Sequence, residues 1–149
     1  MDSISFIDKK KVLVTGGAGF IGGSLIRRLL KFSKSNVFNL DKLNYASDLE
    51  SINAIVNKNS DIKKRYKFFK CDLSNKLKTE DIINKIKPDI IVHFAAESHV
   101  DKSIDNPSNF IKSNILGTYN LLEAAFKYWE NLSRLKKQNF KFLHISTDE

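Results

Sequence analysis

The sequence has few of the residues that form disulfides or cross membranes. It contains one cysteine in 149 residues, and no apolar run approaches the roughly 20 residues of a membrane span. The single thiol, Cys71, excludes an internal disulfide and favours a reducing, cytoplasmic location. It ends an apolar run, which favours a buried structural thiol over a nucleophile. Residues 1–11 include Asp2 and Asp8 and lack the apolar core of a signal peptide.

Acidic residues are also scarce. Asp and Glu number 17 against 25 Lys and Arg, giving a formal net charge of +8. The cations are nearly all lysines spread along the whole chain, without the arginine clusters and interleaved aromatics of a nucleic-acid interface. We therefore expect no nucleic-acid partner and no membrane partner. The positive potential would still attract an anionic nucleotide.

Glycine is rare too, with six in the chain, yet three of them form a motif. The apolar run Val12 to Val14 leads into Gly16, Gly19 and Gly22, and an amphipathic stretch begins there. In a strand, turn and helix of this kind, Gly16 permits the turn and Gly19 lets a pyrophosphate approach the backbone. Gly22 lets the helix pack against the strand. The alternative is a purely structural glycine-rich turn.

An acidic residue stands where this motif requires one. Asp41 ends the next apolar run, about 20 residues after the glycines, where a carboxylate can bind both ribose hydroxyls. The same carboxylate would repel a 2′-phosphate, so the expected cofactor is NAD rather than NADP. Lys42, the next residue, is the one feature that favours the phosphate.

Apolar runs alternate with helical patterns along the chain, which predicts a parallel sheet. Right-handed crossovers give the strand order 3-2-1-4-5. The predicted fold class is α/β, a Rossmann-type doubly wound sheet truncated after its fifth strand, and residues 1–149 form one incomplete NAD-binding domain. Strands are predicted near 11–15, 37–41, 67–71, 89–94 and 140–146, and helices near 20–32, 46–57, 79–87 and 107–132.

The helix ends and buried faces follow from local signals. Thr79 is the expected cap of the third helix, Pro88 ends it, and Pro107 begins the longest one. The first helix is expected to bury Phe20, Ile21, Leu25, Ile26, Leu29 and Leu30, and the longest Phe110, Ile111, Ile115, Leu121, Leu122, Ala125, Phe126 and Trp129.

The candidate site residues all follow strand ends. Ligands of open α/β sheets bind at the carboxyl ends of the strands, where the strand order reverses. Here that place lies between the first and fourth strands. The segments expected to meet there are 16–22, Asp41, Asp72, 95–98 and 147–149.

Several segments resemble the extended short-chain dehydrogenase/reductases. They are Thr15-Gly-Gly-Ala-Gly-Phe-Ile-Gly22, Asp41-Lys-Leu-Asn44, Cys71-Asp-Leu73, the block from Ala95 to Ile104, Asn114-Ile-Leu-Gly-Thr118 and Ser146-Thr-Asp-Glu149. The likeness runs from about Lys11 to the last residue and covers only the first part of such a protein. It implies that these residues bind NAD: Gly16, Gly19, Phe20, Ile21, Gly22, Asp41, Lys42, Leu43, Asn44, Asp72, Leu73, Phe94, Ala95, Ala96, Glu97, Ser98 and Ser113.

Some of these residues also have a structural interpretation. Phe20 and Ile21 could chiefly attach the helix to the sheet, and Glu97 could belong to a solvated loop with Asp101. Asn114 is expected on a buried helix face, where structural and catalytic support are hard to separate. His93 and His99 have no partners at metal-ligand spacing, so no metal site is expected.

The resemblance also implies a reaction on a nucleotide sugar, with dTDP-glucose as the expected substrate. The family members with this ending remove water by an internal redox cycle that NAD supports, within deoxysugar and surface polysaccharide biosynthesis. Asp148 would be the acid, Glu149 the base, and Thr147 would bond the oxygen at sugar C4. Ser98 would also lie near the sugar.

The family's Tyr-x-x-x-Lys pair is expected to lie outside this chain, and no such spacing is expected within it. We therefore expect a fragment that is inactive alone and that lacks part of the usual homodimer interface. Two alternatives stay open: another nucleotide-sugar epimerase or dehydratase, and a non-catalytic NAD-binding module.

Overall fold

The computed structural model describes residues 5–97 and 107–146, and within them five parallel strands form one sheet. The strand order is β3-β2-β1-β4-β5, which confirms the predicted order. The strands are β1 (Lys11–Thr15), β2 (Asn36–Asp41), β3 (Tyr66–Lys70), β4 (Ile90–His93) and β5 (Lys141–His144).

Helices connect successive strands. In chain order they are α1 (Phe20–Phe32), α2 (Glu50–Val56), α3 (Ser60–Arg65), α4 (Lys76–Ile86), α5 (Pro107–Phe110), α6 (Thr118–Glu130) and α7 (Arg134–Asn139). A π-helical segment, Ile111–Gly117, joins α5 to α6, and a 3₁₀ turn, Ser5–Ile7, precedes β1.

Each face of the sheet has its own hydrophobic core. Successive side chains of a strand point to opposite faces, so Val12 and Val14 lie on one side and Leu13 on the other. Val12 and Val14 pack with Ile26 of α1 and Ile52 of α2, while Leu13 packs with residues of α4 and α6. A sheet covered on both faces explains why its central strands are apolar throughout.

Two of the predicted helices differ from the structure. A helix was expected near 46–57, but α2 begins only at Glu50, and α3 follows it as a helix that the sequence did not predict. Thr79 is not a cap, because α4 begins at Lys76 and the Asn75 side chain accepts a hydrogen bond from the Lys78 N–H. The Thr79 hydroxyl is buried and donates to the Asn75 carbonyl at 2.9 Å.

The buried faces of two helices also need correction. Phe20 and Ile21 do not face the core, since they are 92% and 60% exposed. In the long helical stretch after Pro107, the predicted Leu121 and Ala125 are buried, joined by Asn120 and Ala124. The predicted Ile111, Ile115, Leu122 and Phe126 are instead exposed, and Phe110 and Trp129 are half-buried.

The edge strand β5 is covered on one face only. Phe142 packs against the core that contains Leu13, whereas Leu143 on the other face is 52% exposed. Helix α7 (Arg134–Asn139) precedes β5 and was not predicted from the sequence. Among the described residues, the helices are too short or too polar to cross a membrane.

Candidate functional site

The glycine turn lies directly after β1, at the carboxyl edge of the sheet. Gly16 has φ +68°, a conformation that favours glycine. A Cβ at this position would also lie 2.6 Å from the Ala95 nitrogen, in the loop after β4. Glycine is therefore favoured at position 16 for two reasons: its positive φ, and the lack of space for a Cβ next to Ala95.

No described side chain caps the N-terminus of the helix that follows the turn. Its N-cap residue is Gly19, which has no side chain to cap the helix, and the first turn holds no acidic residue. The first N–H groups of a helix have no partners within the helix and favour an anion. Among the described residues, a Cβ at Gly19 would meet only the Gly16 oxygen, at 3.2 Å, so they leave this side of the turn open. The exposed Phe20 and Ile21 border this opening, which suits the backbone contact expected of them.

Asp41 lies at the end of β2, beside the glycine turn, and is 8% exposed. Its Oδ2 accepts a hydrogen bond from the Ala18 N–H at 3.0 Å, and its Oδ1 accepts one from the Leu43 N–H at 2.8 Å. The carboxylate is thus fixed between the glycine turn and its own loop. Leu43 has φ +61°, an uncommon conformation for a non-glycine residue that the bond to Asp41 helps to hold.

A cavity of about 490 Å³ opens next to this carboxylate, between the ends of β2 and β3. Asp72 contributes to its wall. Leu73 does not line it, because the Leu73 side chain is 6% exposed and packs in the core. The cavity is lined by Lys42, Leu43, Lys70, Cys71, Asp72 and Lys78.

Lys42 joins three of the predicted site segments. Its Nζ lies 2.6 Å from Glu97 Oε1 in the loop after β4, and it donates to Ser113 Oγ at 2.8 Å. The side chains of this ion pair are 32% and 15% exposed, so both are largely shielded from water. Glu97 is therefore a partner of Lys42 and does not lie in a solvated loop.

Asn114 fixes the backbone of the same glutamate. Its Oδ1 accepts from the Glu97 N–H at 2.8 Å, and its Nδ2 donates to the Glu97 carbonyl at 3.0 Å. The expected cost of burying an amide is avoided, because Asn114 is half-buried and both ends of its amide are bonded. Both Ser113 and Asn114 belong to the π-helical segment, a distortion that often occurs at functional sites.

His93, the last residue of β4, connects the elements next to the site. Its ring is fully buried, with Nδ1 2.6 Å from the Thr15 hydroxyl and Nε2 2.9 Å from the Thr118 hydroxyl. Burial lowers the pKa of His93 from its usual 6.5 to about 4, and the adjacent His144 contributes to the shift. His93 is therefore neutral at physiological pH and connects β1, β4 and α6.

The thiol of Cys71 is buried and free, and burial raises its pKa. A thiol with a raised pKa forms little thiolate, which agrees with the structural interpretation.

Asn44 is exposed, and its side chain accepts a hydrogen bond from the Ala46 N–H of its own turn at 2.9 Å.

Several predicted residues lie outside the described part of the chain. They are Ser98, His99, Asp101, Thr147, Asp148 and Glu149.

One Tyr-x-x-x-Lys spacing is present, which corrects the expectation that the chain has none. It joins Tyr66 to Lys70 on β3. Tyr66 lies at the amino end of the strand, away from the site, and its hydroxyl accepts a hydrogen bond from the Asn39 amide at 3.0 Å. Burial raises its pKa, so it has no feature of an activated base. Lys70, at the other end, lines the cavity.

Sequence reasoning did not identify Lys70 and Lys78 as site residues. Lys70 ends β3 and could have been found, because it occupies the same strand-end position as Asp41. Lys78 belongs to the first turn of α4, whose start was predicted three residues too late. The part played by the Ala18 N–H depends on backbone geometry and has no signal in the sequence.

A family model described as GDP-mannose 4,6 dehydratase matches residues 13–149. The chain belongs to this family. The dTDP-glucose 4,6-dehydratase of Salmonella typhimurium is 49% identical over 139 residues, which are 93% of this chain and 37% of that protein. The chain thus spans little more than a third of the curated relatives that it matches.

Solved structures give the same result for the fold. The dTDP-glucose 4,6-dehydratase of Bacillus anthracis, solved in complex with NAD, matches with a TM-score of 0.72 and 31% identity. A UDP-Glc/GlcNAc 4-epimerase from Campylobacter jejuni matches with a TM-score of 0.75 and 32% identity. The Bacillus match covers 93% of this chain and 38% of that protein, and the Campylobacter match covers 93% and 37%.

Proposed function

We propose that residues 1–149 are the NAD-binding part of a dTDP-glucose 4,6-dehydratase. The observation that supports this most is the joint geometry of the glycine turn and Asp41. The open turn and uncapped helix suit a pyrophosphate, and the carboxylate bonded to Ala18 lies where a ribose would follow. The identity to the Salmonella relative selects the dehydratases among proteins with such a site.

The residues of the chain have separable tasks in this proposal. The turn and the start of α1 bind the pyrophosphate, Asp41 the adenosine ribose, and Asp72 the adenine edge. Lys42, Glu97, Ser113 and Asn114 hold the loop after β4 against the nicotinamide side. NAD held by these residues would supply a reversible hydride acceptor for the oxidation at sugar C4 and the reduction at C6.

The proposed overall reaction converts dTDP-glucose to dTDP-4-keto-6-deoxyglucose and water. Glu149 takes the proton at C5 and returns it to C5 when hydride is added at C6, Asp148 protonates the departing C6 hydroxyl, and Thr147 bonds the oxygen at C4. Two carboxyl groups in opposite protonation states suit this elimination. These roles rest on the family resemblance, with Ser98 beside the sugar.

Cofactor binding is tested by titrating the 149-residue chain with NAD in a calorimeter. We expect saturable binding at one site per chain, lost or strongly weakened in Gly19→Val, whose branched side chain would fill the open side of the turn. Ser24→Val, on the exposed side of α1, is the control. An unliganded wild-type chain at millimolar NAD would contradict the proposal.

The reaction is tested with a chimaera that joins residues 1–149 to the remaining part of the Salmonella relative. We expect this protein to release the 4-keto-6-deoxy sugar from dTDP-glucose, and Asp148→Asn and Glu149→Gln to reduce turnover at least 100-fold. If the chimaera binds NAD but forms no keto sugar, this chain is an NAD-binding module without the dehydratase function.

A 4-epimerase is the second candidate, favoured by the TM-score of 0.75 to the Campylobacter enzyme. Its sequence identity of 32% is well below the 49% of the dehydratase relative. The same chimaera separates the two, because an epimerase forms a sugar inverted at C4 and releases no water.

We further propose a homodimer in the cytoplasm. The free buried thiol of Cys71 suits a reducing compartment. One side of the helical stretch from the π-helical segment into α6 exposes a continuous apolar surface, as an unpaired subunit interface would. We call this surface the outer stripe, and its residues are Ile111, Ile115, Tyr119, Leu122 and Phe126.

A further inference from the structure

Two opposite charges stand next to each other at the end of β2. Asp41 suits a 2′-hydroxyl and repels a 2′-phosphate, whereas Lys42 is a cation that could neutralise such a phosphate. Lys42 also lines the cavity beside Asp41. Its charge could therefore affect the choice between NAD and NADP. Its influence on cofactor choice depends on where its ammonium group is held.

Two partners hold the ammonium group of Lys42. Glu97 Oε1 lies 2.6 Å from Lys42 Nζ, and Ser113 Oγ accepts from it at 2.8 Å. These contacts cross from the end of β2 to the loop after β4 and to the π-helical segment. Release of Lys42 would leave a carboxylate that is only 15% exposed without its counter-ion, which is unfavourable.

Glu97 cannot easily follow Lys42 toward the cavity. The Asn114 amide bonds both its backbone N–H and its backbone carbonyl, at 2.8 and 3.0 Å. The glutamate is thereby fixed at three atoms, and the lysine must come to it. Because the pair is intramolecular and largely shielded, it persists in ordinary salt better than an exposed pair.

We infer that Glu97 is a specificity-determining residue that excludes NADP by neutralising and withdrawing Lys42. This inference rests on the proposed function, since it concerns the choice between two dinucleotides at the same site. Asp41 supplies the repulsion, and Glu97 prevents the neighbouring cation from cancelling it. Ser113 also holds the ammonium group of Lys42, by accepting a hydrogen bond from it.

Lys70 and Lys78 also line the cavity and must be separated from Lys42. Both are exposed, and their charge attracts NAD and NADP through the phosphates that the two share. Neither changes when Glu97 is replaced. An effect that disappears with Lys42 therefore belongs to Lys42.

The test measures the dissociation constants of NAD and NADP by calorimetry for four proteins. They are the wild-type chain, Glu97→Gln, the double variant Glu97→Gln/Lys42→Gln, and Glu123→Gln as a matched control. Glu123 pairs with Lys76 at 3.0 Å on the surface, so its replacement removes an equal charge away from the cavity. Circular dichroism confirms that each variant is folded before titration.

We expect Glu97→Gln to shift the ratio of the NAD and NADP dissociation constants about fivefold toward NADP, a change of about 1 kcal/mol. The double variant should lose this shift, and Glu123→Gln should match the wild type. An unchanged ratio in folded Glu97→Gln, or a shift that survives in the double variant, would overturn the inference. Failure of the wild type to bind NAD would instead overturn the proposed function.

Discussion

A buried histidine joins the strands and the helix beneath the site. His93 is the only fully buried histidine among the described residues, and each ring nitrogen lies within 3 Å of a threonine hydroxyl. Protonation would place a charge where the described residues offer no carboxylate partner, and the His144 ring lies nearby, with the ring centroids 4.8 Å apart. The neutral form is therefore part of the folded structure.

This arrangement makes stability depend on pH in a defined direction. His93 has a pKa of about 4 when folded and near 6.5 when unfolded, so between these values the unfolded chain binds more protons. We expect its contribution to be complete above pH 6.5 and to fall by about 3 kcal/mol as the pH drops to 4. Urea unfolding at several pH values, for the wild type and for His93→Gln, measures the difference. Parallel pH curves for the two proteins would contradict this.

Asp41 offers the second residue-scale prediction. Asp41→Ala removes the carboxylate that repels a 2′-phosphate and that holds the Ala18 and Leu43 N–H groups. We expect the preference for NAD over NADP to fall at least tenfold, measured by separate calorimetric titrations. Asp61→Ala, on the surface of α3, serves as the control. Retained discrimination in Asp41→Ala would mean that another group reads the ribose.

The positions of site residues that follow strand ends could be predicted from the sequence. Contacts between side chains that are distant in the sequence could not. Asp41 and the glycines could be placed because the chain must turn where a strand ends, and their chemistry follows from residue type. The bond from Lys42 to Glu97 joins residues 55 positions apart, and nothing local in the sequence selects it. The family resemblance implies a place near the cofactor for both residues, but it could not show that they contact each other.

At the scale of elements, the main error came from assuming one helical period after Pro107. A π-helical segment has i→i+5 bonds, so it shifts the faces that a 3.6-residue repeat would bury. Ile111 and Ile115 consequently face outward, and Ser113 and Asn114 face the site. The sheet was predicted well because buried parallel strands are apolar runs, which need no assumption about faces. Strand order followed from crossover handedness alone.

The turn between β1 and α1 gives a matched pair of glycine substitutions. Gly16→Ala would strain a φ of +68° and bring a Cβ against the Ala95 backbone, so we expect a loss of about 2–4 kcal/mol. Gly23→Ala places a Cβ 3.3 Å from the flexible end of Arg27 within a helix, and we expect a gain of up to about 1 kcal/mol. Urea unfolding measures both. Equal effects of the two substitutions would show that the turn geometry does not matter.

On the scale of the whole molecule, the apolar surface is unevenly distributed. The sheet is closed by cores on both faces near β1, β2 and β4, while one face of β5 and the outer stripe are open. The relatives are longer, since this chain corresponds to 37% of the Salmonella protein. The sequence predicted the apolar character of the outer stripe but assigned it to the core. An apolar repeat indicates that one face of a helix is buried, but it does not indicate whether that face packs against the same chain or against another one.

The outer stripe therefore leads to a prediction about assembly. Its five side chains are 45–64% exposed, and a face of this kind is unfavourable in water unless a second copy covers it. We expect sedimentation to show a concentration-dependent dimer that Ile115→Glu, at the centre of the stripe, converts to a monomer. Phe32→Glu is the control, because Phe32 is 65% exposed but lies on α1, on the opposite side of the sheet. In a twofold-symmetric interface, the new glutamate at position 115 would face the same glutamate of the second copy, and the repulsion would weaken the dimer. Dissociation by both variants, or by neither, would show that the dimer does not use the outer stripe.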